Sequence, residues 1–471
     1  MIEILWTDGL VFLLMGSIIA FTLYARSREH LRAPWREVIR KPLGMSALVI
    51  LLVYVLIGFL DSLHFRPELE PSASQSGKVQ YAANIESVLD VILSDLKENT
   101  EKTYSAPFSL HLYNKETVGI EEGVKRREYP RLVYGGAHLE SEDQHKEDLV
   151  QRLLFSLLGG LMVWSLTAAL IIVLIVWRTG EQLQAVLQSI WRGQRELPWR
   201  SLFSTMAFIV LVAIFLMNTA GVYHVFGTDK VGEDVLYQAI KSIRTGLVIG
   251  TLTTLIMLPF AVLLGIMAGY MKGWVDDVIQ YIYTTLNSIP GVLLIAAAVL
   301  MMLVYMETHP ELFGTGVERS DFRLLFLCMI LGVTSWTGLC RLLRAETLKL
   351  SELEYVQAAE ALGVSRFRII LRHILPNVMH IILIAIVMDF SGLVLAEAVL
   401  SYLNIGVDPT MYSWGNMINS SRLELAREPI VWWAFLAAFI FMFLLVLSAN
   451  LFADSVRDAF DPRLRSLSNG R

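Results

Sequence analysis

Apolar runs long enough to cross a bilayer recur along this chain, and they constrain its fold more than any other feature. A helix needs about 20 apolar residues to span the hydrocarbon core. Runs at 43–60, 153–177, 202–221, 247–270, 278–305, 324–343, 378–403 and 430–452 approach or exceed that length, and a shorter one lies at 10–24. The expectation is an all-α polytopic membrane protein with about nine transmembrane helices. Composition agrees, with 55% hydrophobic residues and a mean hydropathy of +0.54. The two cysteines, Cys328 and Cys340, share one apolar run. They are too far apart along a helix to bridge and read as small apolar residues. Glu3 and Asp8 precede the first apolar run, where a cleaved leader would carry lysine or arginine.

Orientation follows from the loops. Arg26, Arg28, Arg32, Arg36, Arg40 and Lys41 crowd the loop after the first run, and Arg178, Arg192, Arg195 and Arg200 the loop after the third. Basic loops stay in the cytoplasm, so the N-terminus and the polar stretch 64–150 are expected outside. The same count puts 354–377 and the tail, with Arg457, Arg463, Arg465 and Arg471, inside.

Both periodicities occur within 64–150. Pro67, Pro71 and "PSASQSG" form a linker. Ile85, Val88, Leu89, Ile92 and Leu96 recur at helical spacing, Phe108, Leu110 and Leu112 alternate as in a strand, and "RLVYGG" offers another. A small folded α/β domain is therefore preferred over a disordered charged loop. Its size requires support from a partner or from the membrane helices.

No G-x-x-x-x-G-K-[ST] phosphate loop, nucleophile elbow, H-E-x-x-H or zinc-site spacing is present. Nothing marks the chain as an enzyme, as a cofactor or metal carrier, or as a nucleic-acid binder.

"EYVQAAEALGVSRFRIILRHILPN" (354–377) sits between two apolar runs. Ala358, Ala359 and Ala361 favour helix. Gly363 can close it with positive φ, Ser365 can cap a second helix running to about Ile374, and Pro376 marks the next break. The result is a helix, a tight turn and a second helix at the inner membrane face, with little side-chain bulk. By physics alone two readings stay open: a surface that another protein approaches closely, or an amphipathic linker on lipid headgroups.

The segment resembles the "EAA" loop of binding-protein-dependent ABC importer permeases. The matching positions are Gln357, Ala358 and Ala359, then Gly363, then Leu375 and Pro376, with Gln357 in place of glutamate and His373 in place of isoleucine. "YVxAAxALG" and "RHILPN" forms are familiar in the dipeptide and oligopeptide (peptide/nickel) branch. "FGTDKVGEDVL" at 226–236 resembles that branch's "GTDxxGRDV", with Glu233 for arginine. "AGYMKGWVDDVI" at 268–279 resembles its short inner loop. "AEAVLSYLNIGVDPTMYSWGNMI" at 396–418 and "RDAFDPRLR" at 457–465 resemble its later motifs. The resemblance covers about 225–465. The first span, 64–150 and the third span look like an added module.

The resemblance implies a type I ABC importer permease fold. The regions are then 1–63 (two helices and a basic cytoplasmic loop), an extracytoplasmic α/β domain at 64–150, 151–222 (two helices and a cytoplasmic loop), a permease core at 223–456 with a coupling loop at 345–376, and a tail at 457–471. It implies partners: a second homologous permease, two cytoplasmic ATPase subunits that hydrolyse the ATP, an extracytoplasmic substrate-binding protein, a peptide substrate and the lipid of a bacterial inner membrane. Nickel, an oligosaccharide or a glutathione-like solute is the alternative substrate, and a self-contained secondary transporter the competing class. The ATPase contact falls on Tyr355, Gln357, Ala358, Ala359, Leu362, Gly363 and Arg366. Asp389, deep in a span, costs about 2.5–3.5 kcal/mol if it faces lipid, so it lines a path or pairs structurally. Glu397 takes a structural role at the outer gate. Trp414, with Gly415, shapes the outer face or serves as an interfacial anchor. Asp229 and Asp234 serve a turn and a helix cap.

Overall fold

The computed structural model describes residues 2–26, 29–68, 81–82, 85–121, 124–313 and 315–460. The "PSASQSG" linker, Arg28 and the tail arginines Arg463, Arg465 and Arg471 lie outside the described residues. In chain order the first elements are β1 (Ile2–Glu3), α1 (Trp6–Arg26), α2 (Glu29–Arg40), α3 (Pro42–Asp61), β2 (His64–Phe65), β3 (Glu86–Ser87), α4 (Val88–Ile92), α5 (Ser94–Glu98), β4 (Glu116–Glu121) and β5 (Val124–Glu128). Long helices follow: α6 (His145–Thr179), α7 (Leu183–Arg192), α8 (Trp199–Thr219), α9 (Val235–Met271), α10 (Gly273–Ser288), α11 (Gly291–Thr308), α12 (Gly316–Ser335) and α13 (Thr337–Ser351). The last are α14 (Glu354–Ala361), α15 (Arg366–Ile369), α16 (Leu375–Tyr402), α17 (Trp414–Ser421) and α18 (Trp433–Phe460).

Among the described residues 8 helical runs are long and apolar enough to cross a membrane, and Trp6–Ala20 is a shorter apolar helix. This is the expected all-α polytopic fold, with one correction. The apolar run 278–305 is not one helix: α10 ends at Ser288, Ile289 is extended (φ −89°, ψ 129°), and α11 begins after Pro290. Proline lacks the N–H an uninterrupted helix needs there and clashes with the preceding turn.

The chain forms two compact units. The first comprises 1–3, 35–245 and 412–452. Small residues and hydroxyls join its membrane helices, as packing in lipid requires. A Cβ on Gly160 of α6 would lie 2.7 Å from Leu211 Cδ2 of α8. Trp164 Nε1 donates to the Phe203 carbonyl (3.0 Å), and Asn218 Nδ2 to Ser156 Oγ (3.0 Å). Ser46 of α3 meets Ser201 and Thr205 of α8 at 2.6 and 2.8 Å.

β2 and β3, between α3 and α6, join the N-terminal β1 in a small antiparallel sheet pairing Ile2 with Phe65 and His64 with Ser87. β4 and β5 form a separate hairpin. Leu110, Leu132 and Leu139 are buried with Tyr223. The helical spacing at 85–96 resolves into two short helices: Leu89 and Leu96 are buried, but Ile92 is exposed. The expected strand at 108–112 does not form. Phe108 has φ +55°, and the stretch makes isolated bridges, Ser105 to Leu112 and His111 to Arg131. "RLVYGG" is likewise a turn. Its N–H groups at Val133, Tyr134 and Gly135 donate to the Glu101 carboxylate at 2.9, 2.8 and 3.1 Å.

The second unit comprises 4–34, 246–411 and 453–471. One buried cluster contains Met257, Ala261, Ile266, Tyr283, Leu339 and Leu343, and extends to Val356, Ile369, Ile374 and Val378. Glycines let α9 and α13 approach closely. A Cβ on Gly265 would lie 2.8 Å from the Cys340 carbonyl, and one on Gly269 would lie 2.6 Å from that of Arg344. Cys328 and Cys340 are buried free thiols.

Candidate functional site

The segment after α13 is built on this second cluster. Glu352 starts it, held by Lys272 Nζ at 2.5 Å; the lysine also keeps its carboxyl below the ordinary glutamate range. Glu354 in the first turn of α14 complements the helix dipole. The helix ends in paired reverse hydrogen bonds: Val364 N–H donates to Ala359 C=O (3.1 Å), and Gly363 N–H to Glu360 C=O (3.0 Å). That is a Schellman closure, and it requires the left-handed residue found at Gly363, φ +76°. Val364 and Ala359, the apolar pair such a closure brings together, pack on the buried cluster.

Ser365 occupies the cap position of α15 but makes no side-chain cap bond. The chain then passes through a π-helical turn, Ile370–Ile374, into α16. Pro376 does not break this helix. It sits in the first turn of α16, and the wider π turn relieves the bond its missing N–H leaves open. Asn377 Nδ2 bridges Tyr355 Oη (3.1 Å) and the His373 carbonyl (2.6 Å), which pins α14 to the base of α16.

Burial divides the segment. Val356, Ile369 and Ile374 are fully buried, whereas Leu362 is 83% and Phe367 72% exposed. Gln357, Ala358, Gly363, Arg366, Arg368 and Arg372 are also exposed. Among the described residues no carboxylate lies within ion-pair distance of these three arginines. Gln357 Nε2 reaches Glu352 Oε2 at 3.5 Å. A Cβ at Gly363 would meet nothing within 4 Å. Tyr355, Gln357, Ala358, Ala359, Leu362 and Gly363 thus lie on α14 and its closing turn, and Arg366 begins α15 just beyond. They form an apolar-tipped projection of mixed charge, with Glu354 and Glu360 exposed on α14 and Arg366 and Arg368 exposed on α15, and with an open approach at its glycine.

Asp389 and Glu397 lie eight positions apart on α16, and Trp414 opens α17. Asp389, midway along α16, is half-buried, and among the described residues its carboxylate has no hydrogen-bond or ion-pair partner. Glu397 is buried and accepts a bond from Ser401 Oγ (2.7 Å). Trp414 is buried, and its Nε1 donates to the Ala239 carbonyl (3.1 Å). Its side chain is packed inside the first unit, which excludes an anchoring role in the membrane interface.

Sequence reading missed two buried charge networks in the first unit. Lys241 Nζ lies 2.5 Å from Asp61 and 2.8 Å from Asp90, whose second bonds go to Ser87 and Tyr237. Burial raises the Asp90 carboxyl, but Lys241 and the Ser87 N–H outweigh it and bring it to about 2. His224 Nδ1 lies 2.7 Å from Asp234 Oδ2, and its Nε2 lies 3.6 Å from Glu101 Oε1. Burial works against the charged ring, but the two carboxylates outweigh it and raise His224 to about 9. Asp234 Oδ1 also accepts from the N–H groups of Leu236 and Tyr237, capping α9. Asp229 orders the preceding turn through the N–H groups of Val231 and Glu233. The signal available in sequence was "GTDKVGEDV" ahead of a helix; the remote partners gave none.

Among the described residues no group of three or more histidine, cysteine, aspartate or glutamate side chains is placed to hold a metal ion.

Residues 261–466 match the family described as binding-protein-dependent transport system inner membrane component. The oligopeptide transport system permease protein OppC of Mycobacterium tuberculosis is 31% identical over 255 residues, 54% of this chain and 81% of that protein. The glutathione transport system permease protein GsiD of Pectobacterium atrosepticum is 32% identical over 245 residues, 52% and 74% of the two chains. The dipeptide transport system permease protein DppC of Bacillus subtilis is 31% identical over 242 residues, 51% and 69%.

Proposed function

Because the chain belongs to the family of binding-protein-dependent transport system inner membrane components, the permeases of ABC importers, we propose that it forms half of a peptide path in a bacterial cytoplasmic membrane. A second, homologous permease supplies the other half. Two ATPase subunits seat on α14 and α15 from the cytoplasm and supply the drive, since this chain carries no nucleotide-binding motif of its own. A substrate-binding protein delivers substrate from outside. The relative named for glutathione transport favours a second substrate within the same reading, since glutathione is itself a short peptide; uptake competition between it and unmodified dipeptides separates the two.

The observation that carries the coupling reading is the closure at Gly363. Its φ of +76° holds Leu362 outward, and the open space at its Cα lets a partner approach closely. Gly363→Leu strains the turn and fills that space. The membrane level of the protein is expected to stay normal, while uptake and substrate-stimulated ATP hydrolysis by the reconstituted complex are lost. Gly363→Ala is milder, costing about 1 kcal/mol through the left-handed φ. Full stimulation in Gly363→Leu sinks the assignment.

The proposal places 64–150 outside the cytoplasm. Ser141 is exposed and both native cysteines are buried, so a cysteine at Ser141 should react with an impermeant thiol reagent on intact spheroplasts. Reaction only after permeabilisation inverts the topology.

A further inference from the structure

The connection between α6 and α8 carries a surface that the transport reading does not use. Residues 180–182 separate α6 from α7, and 193–198 separate α7 from α8. At about 3.5 Å per residue, the first link reaches only about 10 Å, so α7 stays at the membrane surface where both spans end. Leu183, Val186, Leu187, Ile190 and Trp191 fall on one side of α7 at helical spacing, with Gln184, Gln188 and Arg192 on the other. Val186 is fully buried as α7 packs on α6 and α8. Leu183, Leu187 and Trp191 are left uncovered, Trp191 to 80%, and Trp177 in the last turn of α6 is 81% exposed.

The charges around this face divide in the same way. Arg195 pairs with Glu181, and Arg36 and Arg40 share Glu196. Arg178, Arg192 and Arg200 are exposed, and among the described residues none has a carboxylate within ion-pair distance. An apolar stripe tipped by tryptophan, held at the bilayer surface by its own chain and flanked by unneutralised guanidinium groups, matches the boundary where acyl chains meet phosphate.

We propose that α7 is an interfacial helix that sinks Leu183, Leu187 and Trp191 among the lipid and holds anionic phospholipid headgroups through Arg178, Arg192 and Arg200. The tether is what selects lipid as the occupant. A protein partner would have to displace the bilayer that both flanking spans bring to this face.

The test uses the full chain with Leu187→Cys, labelled with an environment-sensitive fluorophore, since the native thiols are buried. Vesicles contain phosphatidylcholine alone or mixed with phosphatidylglycerol. The label is expected to shift to the blue and to be quenched by lipids brominated near the headgroup. Phosphatidylglycerol retained by the purified chain should exceed phosphatidylcholine, and that preference should weaken as salt rises. Replacing Arg178, Arg192 and Arg200 with glutamine should lower it by about fivefold per arginine. A label that an aqueous quencher reaches freely in vesicles overturns the proposal. So does shielding that appears only after ATPase subunits are added, which would assign the face to protein. A preference that survives both salt and the triple replacement overturns the headgroup assignment.

Discussion

The start of α9 and the segment around α14 are both polar helix ends, yet they treat charge in opposite ways. At α9, Lys241 is enclosed by Asp61 and Asp90, and His224 by Asp234 and Glu101. At α14, α15 and the π turn that follows, Arg366, Arg368 and Arg372 are exposed, as are Leu362 and Phe367. A region whose charges are satisfied internally is committed to one arrangement, because separating buried partners leaves an uncompensated ion. One that keeps its charges and apolar tips uncovered has no such internal commitment on that side. The residues between α3 and α6 are thereby locked to the first turns of α9, whereas α14 and α15 are buried underneath, at Val356 and Ile369, and exposed on top.

The sharpest way to break the comparison is Lys241→Met. Two buried carboxylates would face each other without their cation, at a cost of about 3–5 kcal/mol. Proteolysis of 85–139 under native conditions should accelerate accordingly. Adding Asp61→Asn and Asp90→Asn should restore most of the loss, and failure to do so would mean the network is not the lock.

A smaller effect is expected from pH. His224 is raised to about 9 from an ordinary value of 6.5. Its stabilising contribution is therefore fully present below about pH 6.5 and is lost as pH rises through about 9, on the order of 3 kcal/mol. Hydrogen exchange at Val133, Tyr134 and Gly135, whose N–H groups share the Glu101 carboxylate, should speed up over that window beyond the intrinsic rise. In His224→Gln the excess should vanish.

Asp389→Asn should change stability least, by about 0.5 kcal/mol or less, because no partner within the described chain is lost. If Asp389 lines the path, uptake should change while thermal stability does not. A loss as large as that in Lys241→Met would place Asp389 in a structural pair.

The spans were legible because length and apolarity alone decide them, and the turn at Gly363 because a lone glycine after an alanine-rich helix has few other uses. The break at Ile289 and Pro290 was hidden by apolar residues that continue on both sides. The two charge networks were hidden by separation: Lys241 stands 180 residues from Asp61, and nothing local marks either as half of a pair. At Phe108, Leu110 and Leu112 alternation was real but misread. The two leucines are buried by a turn with positive φ at Phe108, not by a strand. Of the two readings of Trp414, the interfacial anchor does not fit a side chain whose indole is buried and bonded to the Ala239 carbonyl, and no local pattern announced that partner.

Residues 366–402 run as one uninterrupted helical rod, with the π turn near its lower end. Such a rod is about 55 Å long. A tilt of about 10° imposed at Arg366 and Phe367 would carry its far end through about 10 Å, several times the movement at the point of application. On the proposed coupling reading, a small displacement at Arg366 and Phe367 is thereby magnified at the far end of α16 in proportion to the length of the helix.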